Sequence, residues 1–189
     1  MARLHEYQGK AILAANGFKI PHGRAASTAE EAVAAAGELG GEVVIKIQAW
    51  TTGRAGVGGV AFAKTPEDVR DHGARMLAMK VGQFPVEAVL VEEKIAIDQE
   101  FFLSFAIDDR SRAPVIIFAA GGGSGFEERA ASTKRIACDV KSGPVESTVN
   151  EAVSSCVLLP EHENQLADWI RKLFVAARSV AAHSLRVHP

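Results

Sequence analysis

Cysteine, net charge and long apolar runs are all scarce in this chain, and each scarcity excludes something. Among 189 residues there are two cysteines, Cys138 and Cys156. Neither belongs to a Cys-x-x-Cys pair or lies near metal-spaced histidines, so zinc binding is not expected, and the pair reads as two reduced thiols of a cytosolic protein. No run of about 18 apolar residues occurs, which excludes a transmembrane helix. The opening Met1-Ala2-Arg3-Leu4-His5-Glu6-Tyr7 is polar and has no signal-peptide core. The expected compartment is therefore the cytoplasm, or an organelle matrix once a targeting segment has been removed. Lys plus Arg number 21 and Asp plus Glu 23, a net charge of -2. That balance gives no reason to expect nucleic acid or a membrane surface as partner.

What is present is an ordinary globular composition, with 48% hydrophobic and 23% charged residues. The length suits one domain or a two-lobed unit and can bury a sizeable core without disulfides or metals.

Along the chain, Leu4, Tyr7, Ala11 and Ile12 or Leu13 follow helical spacing, and Gly17 is a stop. Pro21 and Gly23 mark a connection. Ser27-Thr28-Ala29-Glu30 has the form of a capping box ahead of a helix over Ala29 to Leu39. Val43-Val44-Ile45-Lys46-Ile47 reads as a buried strand, Val60 to Ala63 as the next strand, and Thr65-Pro66 as the cap and first position of a further helix. Glu100 to Ile107 and Pro114 to Ala120, joined by Asp108-Asp109-Arg110-Ser111-Arg112, predict a β-hairpin. The remainder reads as mostly helical, with a clear helix from about Glu161 to His183. Helices combined with a mixed, at least partly antiparallel sheet predict an α+β fold rather than a doubly wound one.

Four features could carry chemistry. Lys46 interrupts an apolar strand, and a buried ammonium needs a partner; taken alone, it also reads as a lysine on the solvent face of an edge strand. Thr51 to Gly59 is glycine-rich, and glycines let backbone N–H groups approach a polyphosphate and form an anion nest, with Arg54 adding a charge. The loop is neither a Walker loop nor a dinucleotide fingerprint, and it also reads as a simple hairpin connection. Glu92 and Glu93 at a strand end, then Glu100, could accept a nucleotide's amino group or ribose hydroxyls, or form a solvated rim. Gly121 to Gly125 with Glu127 and Glu128 could hold phosphate or form a tight strand-to-helix turn. The six histidines are scattered, and Gly123-Ser124-Gly125 does not complete a nucleophile elbow, so hydrolase chemistry is not expected.

The order of these features is more specific than any one of them. Leu4-His5-Glu6-Tyr7-Gln8-Gly9-Lys10 resembles the opening of the β subunits of ADP-forming succinate–CoA ligases and related malate–CoA ligases. Val44-Ile45-Lys46-Ile47-Gln48, Gly53-Arg54-Ala55-Gly56-Val57-Gly58-Gly59-Val60, Leu90-Val91-Glu92-Glu93, Gln99 to Ser104, and Pro114 to Ile117 with Gly122 through Glu127 are similar to that family's later blocks, in order, over residues 3 to 135. The resemblance implies an ATP-grasp fold: a small lobe over about 20–95 and a second lobe from 1–19 plus 96–189, incomplete at the C-terminus, with both glycine loops at strand ends where lobes can clasp a nucleotide. It implies Lys46 as a phosphate ligand, Gly53, Arg54 and Ala55 as the loop over the phosphates, Glu92 and Ile95 on the adenine side, and Glu100 as a nucleotide-binding carboxylate. The cofactor implied is ATP or GTP with magnesium. The partner implied is a CoA-binding α subunit whose histidine is phosphorylated before the phosphate passes to an acid and CoA attacks the acyl phosphate.

There are departures from the family pattern. Trp50 stands where the family commonly has His, Gly56 where it has Lys, and Gly121 where it has Glu. The metal-binding segment aligns with Leu185-Arg186-Val187-His188-Pro189, Arg186 replacing Glu and His188 replacing Asn. No metal ligands are identified in the chain, the later metal-binding Asp and the flavodoxin-like domain of the family are absent from it, and it is expected to be inactive by itself. The alternative to a ligase fragment or split subunit is a non-catalytic nucleotide-binding or subunit-interaction module derived from an ATP-grasp domain.

Overall fold

A computed structural model describes residues 3–50, 53–121, 133–156 and 158–187. The chain divides into two units, Met1–Ala14 with Lys19–Ala96 and Ala15–Phe18 with Ile97–Pro189. Every strand pairing among the described residues is antiparallel, and with five described helices the fold is α+β, as expected.

The first unit begins with α1 (Glu6–Ala15). It continues through β1 (Gly23–Ala26), α2 (Ala29–Leu39), β2 (Val43–Ile47), a 3₁₀ turn (Arg54–Val57), β3 (Val60–Ala63), α3 (Pro66–Leu77), the short hairpin of β4 (Lys80–Val81) and β5 (Phe84–Pro85), and β6 (Val89–Glu93). Four of the strands form a sheet in the order β1-β6-β2-β3. Side chains alternate across a strand, so β2 presents two faces. Val43, Ile45 and Ile47 join Val89 and Val91 of β6, Ala32 and Ala35 of α2, and Val69 and Met76 of α3 in one core. Burying each Val or Ile stabilises by about 1.5–3 kcal/mol, and a one-residue slip would drive Lys46 into that core, so the register is firmly set. The other face carries Val44 and Lys46 beside Leu90 and Glu92, through the pairings Val44↔Glu92 and Lys46↔Leu90.

Two local readings shift. The cap of α2 is Thr28, whose side chain accepts from Glu31 N, rather than Ser27 with Glu30. Ser27 N instead donates to Glu31 Oε2 at 2.7 Å, so the reciprocal contact is displaced by one residue along the sequence. β1 occupies what reads as a connection, because its four residues Gly-Arg-Ala-Ala carry no strand propensity and exist as a strand only through pairing with β6. At α3 the reading holds: Thr65 and Asp68 form a complete capping box, with Pro66 in the first turn.

N-terminal residues 1–19, read as part of the second lobe, do not group that way. Residues up to Ala14 belong to the first unit, because side chains of α1 bond to β2 and β6, while Ala15–Phe18 go with the second.

The second unit contains β7 (Phe102–Asp108), β8 (Ala113–Ala119), β9 (Lys134–Asp139), β10 (Gly143–Pro144), α4 (Glu146–Ser154), α5 (Pro160–Ser179) and β11 (Ser184–Val187). Its sheet runs β10-β9-β8-β7-β11. The predicted hairpin is β7–β8, with Ser111 Oγ donating to Asp108 Oδ2 across the turn. Leu166, Ile170 and Leu173 of α5 are fully buried, as are Leu103, Phe105, Ile116, Phe118 and Ile136 of the sheet. The stretch after 133 is less helical than its sequence suggests. β9 has only Ile136 and Cys138 buried between charged or small neighbours, too few apolar residues to display a period of two. Both cysteines are buried free thiols, and burial pushes the Cys138 thiol up to about 11.

Candidate functional site

Lys46 is half-buried on β2, and its Nζ donates to Glu92 Oε2 at 2.8 Å. The two residues belong to neighbouring antiparallel strands, two positions apart in register, so they share a face diagonally. Glu92 is 1% exposed. Its other oxygen takes Lys10 Nζ from α1. A carboxylate buried this deeply is tolerable only when both oxygens are paired.

Close approach of β1 helps to enclose it. A Cβ added at Gly23 would lie 2.5 Å from the Val91 carbonyl oxygen and 2.6 Å from Glu92 Cγ. Glycine at this strand position is therefore a steric requirement of the close approach of β1 to Val91 and Glu92 of β6.

A second carboxylate reaches the same cations. Glu6, in the first turn of α1, places Oε1 3.0 Å from Lys10 Nζ and 3.4 Å from Lys46 Nζ. Its Oε2 lies 2.5 Å from Arg54 Nη2, but not in hydrogen-bonding alignment, and this buried oxygen has no hydrogen-bond partner. Burial pushes the Glu6 carboxyl up, yet Lys46, Arg54 and Lys10 together outweigh it and hold it down at about 2. Burial likewise depresses the Lys46 ammonium, but Glu6 and Glu92 outweigh it and the net direction is upward. Three cations, Lys10, Lys46 and Arg54, thus face two carboxylates, Glu6 and Glu92, leaving one positive charge in excess.

The glycine loop aims Arg54. Gly53 at φ 66° and Gly58 at φ 73° bracket the 3₁₀ turn in the left-handed region, which a side chain would disfavour. Arg54 Nη1 donates to the Ile47 carbonyl at 3.2 Å, returning the guanidinium to the end of β2. Gly56 N, Gly58 N and Gly59 N donate to carbonyls of Gly53, Ala55 and Arg54. These three amides close the turn on itself, so the anion-nest reading of the loop does not hold for them. Ala55 is exposed within the turn.

Of the residues singled out in sequence, the structure joins Lys46, Arg54 and Glu92. Gly53 and Ala55 flank Arg54. Ile95 is 51% exposed beyond β6, in the first unit, and Glu100 is half-buried just ahead of β7, in the second. Gly122 to Gly125, Glu127, Glu128 and His188 lie outside the described residues. Missed as site residues were Glu6, Lys10 and Gln48. Gln48, 3% exposed, accepts from Tyr7 N and donates to the Lys46 and Ile47 carbonyls. Glu6 and Lys10 stand four residues apart on one helix face, a spacing visible in the opening motif. Trp50, exposed, stacks on His5 with ring centroids 5.0 Å apart.

The profile of the ATP-grasp domain matches residues 3–189. The chain belongs to the ATP-grasp family. The ATP-grasp chain is 36% identical over 191 residues to the Archaeoglobus fulgidus succinate–CoA ligase [ADP-forming] subunit beta 1, covering 99% of this chain and 50% of that one. It therefore spans about half the length of that relative. In fold it is similar to the Ca. Korarchaeum cryptofilum dinucleotide forming acetyl-coenzyme A synthetase 1, solved with coenzyme A, Ca-AMPCP and HgCl+. The TM-score is 0.76 at 20% identity over 93% of this chain and 80% of that one. It is similar also to the ATP citrate lyase of Methanothrix soehngenii, solved with citrate and coenzyme A, with a TM-score of 0.69 at 16% identity over 93% and 43%.

Among the described residues of the ATP-grasp chain, no group of three or more His, Cys, Asp or Glu side chains could hold a metal ion. Nor is any described helix long and apolar enough to cross a membrane. Arg186 lies exposed on β11, opposite Ser104 of β7.

Proposed function

We propose that this chain is the nucleotide-binding part of an ADP-forming acid–CoA ligase, taking ATP or GTP as phosphoryl donor to a histidine of a CoA-binding partner subunit. The observation that carries the reading is the cluster of Lys46 and Arg54 at one end of β2, with an excess positive charge and the Glu6 carboxylate between them. Such a cluster suits phosphate oxygens, which accept several charge-assisted hydrogen bonds at once. Lys46, aimed by Glu92, would bind a phosphate as a point charge. Arg54, restrained by the Ile47 carbonyl, would offer its outer donors, with Gly53 and Ala55 over the phosphates. Ile95 would serve the nucleoside side, while Glu92, buried with both oxygens paired, holds Lys46 in place instead of meeting the nucleoside. Magnesium would neutralise charge on the phosphates.

The test is titration of ATP and of GTP into the purified chain and into Lys46→Met. Binding that falls at least tenfold in the variant supports the reading; equal affinity overturns it. A second reading, a non-catalytic nucleotide-binding module, is favoured by Arg186, a fixed positive charge where the family has a metal-binding carboxylate. Phosphorylation of a partner α subunit by the chain with ATP and Mg²⁺ excludes that reading.

A further inference from the structure

The two carboxylates at Lys46 are held unequally. Glu92 is 1% exposed, and each of its oxygens is matched to one ammonium, Lys10 or Lys46. Gly23 of β1 approaches it so closely that an added Cβ would lie 2.6 Å from its Cγ. Glu6 is partly exposed and sits at the start of a helix rather than inside a sheet. It shares one oxygen between Lys10 and Lys46, the second contact long at 3.4 Å. Its other oxygen faces Arg54 without hydrogen-bond alignment and has no hydrogen-bond partner. Glu92 is thus the deeply buried partner of Lys46, and Glu6 is the more exposed one, lying where the donors of Lys46 and Arg54 converge.

A phosphate group brought to Lys46 and Arg54 must meet that carboxylate. Two anions cannot share the same donors without strong repulsion. Releasing Glu6 gives up its pairings with Lys10, Lys46 and Arg54, but neither lysine is left without a partner, because Lys10 and Lys46 each keep a bond to Glu92. The released donors then gain phosphate oxygens able to satisfy the Arg54 guanidinium in good geometry, which Glu6 does not.

We propose that Glu6 is a displaceable counter-ion, an internal anion that holds Lys46 and Arg54 in place and yields them to the phosphates of an incoming nucleotide, so that attachment of the first turn of α1 competes with binding. The proposal rests on the nucleotide reading above and adds to it a named competitor. Because coupling is reciprocal, phosphate binding loosens the first turn of α1, and weakening that turn's attachment tightens phosphate binding. The neighbouring ring pair supplies a reporter. His5, one residue before Glu6, lies with its ring 6° from parallel to that of Trp50.

The experiment compares the full chain with Glu6→Gln, titrated with ATP and with inorganic tripolyphosphate by calorimetry, alongside Lys46→Met. The expected result is that Glu6→Gln binds both ligands about fivefold tighter or more. A residue that merely supports the fold gives no gain in affinity on removal. In a Trp169→Phe background, which leaves Trp50 as the single tryptophan, tripolyphosphate is expected to change the Trp50 emission as His5 leaves it, and His5→Leu abolishes that change. This fluorescence arm needs no alteration of Glu6, so a poorly folding Glu6→Gln does not remove the test. If the unaltered chain binds neither ligand, or Lys46→Met binds as well as it does, the nucleotide reading falls and this proposal with it. If binding depends on Lys46 but Glu6→Gln binds equally or more weakly, or Trp50 stays silent on saturation, the displaceable counter-ion alone is overturned.

Discussion

Glu92 Oε2 accepts from Lys46 Nζ at 2.8 Å across two neighbouring strands, and the carboxylate is buried while the ammonium is only half so. The acid is the anchored member of the pair and the base is the presented one. Lys46 extends from a buried anion toward Glu6 and Arg54, which gives its charge a fixed position.

Removing the anchor is expected to cost more stability than removing the lysine. Glu92→Leu strips Lys10 and Lys46 of their buried partner and should destabilise the first unit by about 3–5 kcal/mol. Lys46→Met leaves Glu92 paired with Lys10 and should cost about 1–2 kcal/mol, while abolishing most nucleotide affinity. Urea denaturation of both variants decides this; equal losses would contradict the assigned roles.

Acidification should expose the contribution of Glu6. Its folded-state carboxyl is held at about 2, below the ordinary 4.5. The ionised form is the one stabilised by folding, so the contribution is complete above about pH 4.5 and is lost as pH falls toward 2. The difference corresponds to about 3 kcal/mol. Thermal melts across this window should fall more steeply for the unaltered chain than for Glu6→Gln. Parallel curves would refute the coupling of Glu6 to Lys46, Arg54 and Lys10.

Two glycine-to-alanine changes should move stability in opposite directions. At Gly23 the new methyl overlaps Val91 O and Glu92 Cγ, and a loss of about 1–3 kcal/mol is expected. At Gly9, inside α1, an added Cβ meets nothing within 4 Å, and alanine should gain roughly 0.5–1 kcal/mol from helix propensity. Differential scanning calorimetry on the pair provides the comparison. A Gly23→Ala protein as stable as its parent would mean that β1 is free to shift.

A preparation of these 189 residues, given ATP, Mg²⁺, succinate and CoA without a partner, is expected to form no succinyl-CoA. The proposed relay needs metal ligands, a phosphorylatable histidine and a CoA site in addition to the nucleotide cluster. By the sequence resemblance, Arg186 stands at a metal-binding carboxylate position, where its fixed charge would repel a metal ion. Product above that of a Lys46→Met control would refute this expectation.

The sequence by itself determined what depends on neighbours along the chain. The apolar run of β2 with its single lysine, the Thr65–Asp68 box, the β7–β8 hairpin and the apolar stripe of α5 each come from residues a few positions apart. The order of motif blocks likewise pointed to the ATP-grasp family, whose profile matches residues 3–189. Tertiary structure alone decided which charges meet. Glu6 is 40 positions from Lys46, and Glu92 is 46 positions from it. Their meeting depends on the β2–β6 register and on α1 belonging to the first unit, neither of which leaves a local pattern. β1, too, is a strand only because β6 lies beside it, and its glycine is explained only by the Val91 carbonyl and Glu92 Cγ it must clear. Propensity and capping act within a turn or two of chain, whereas the partner of a buried charge is chosen by packing across the whole unit.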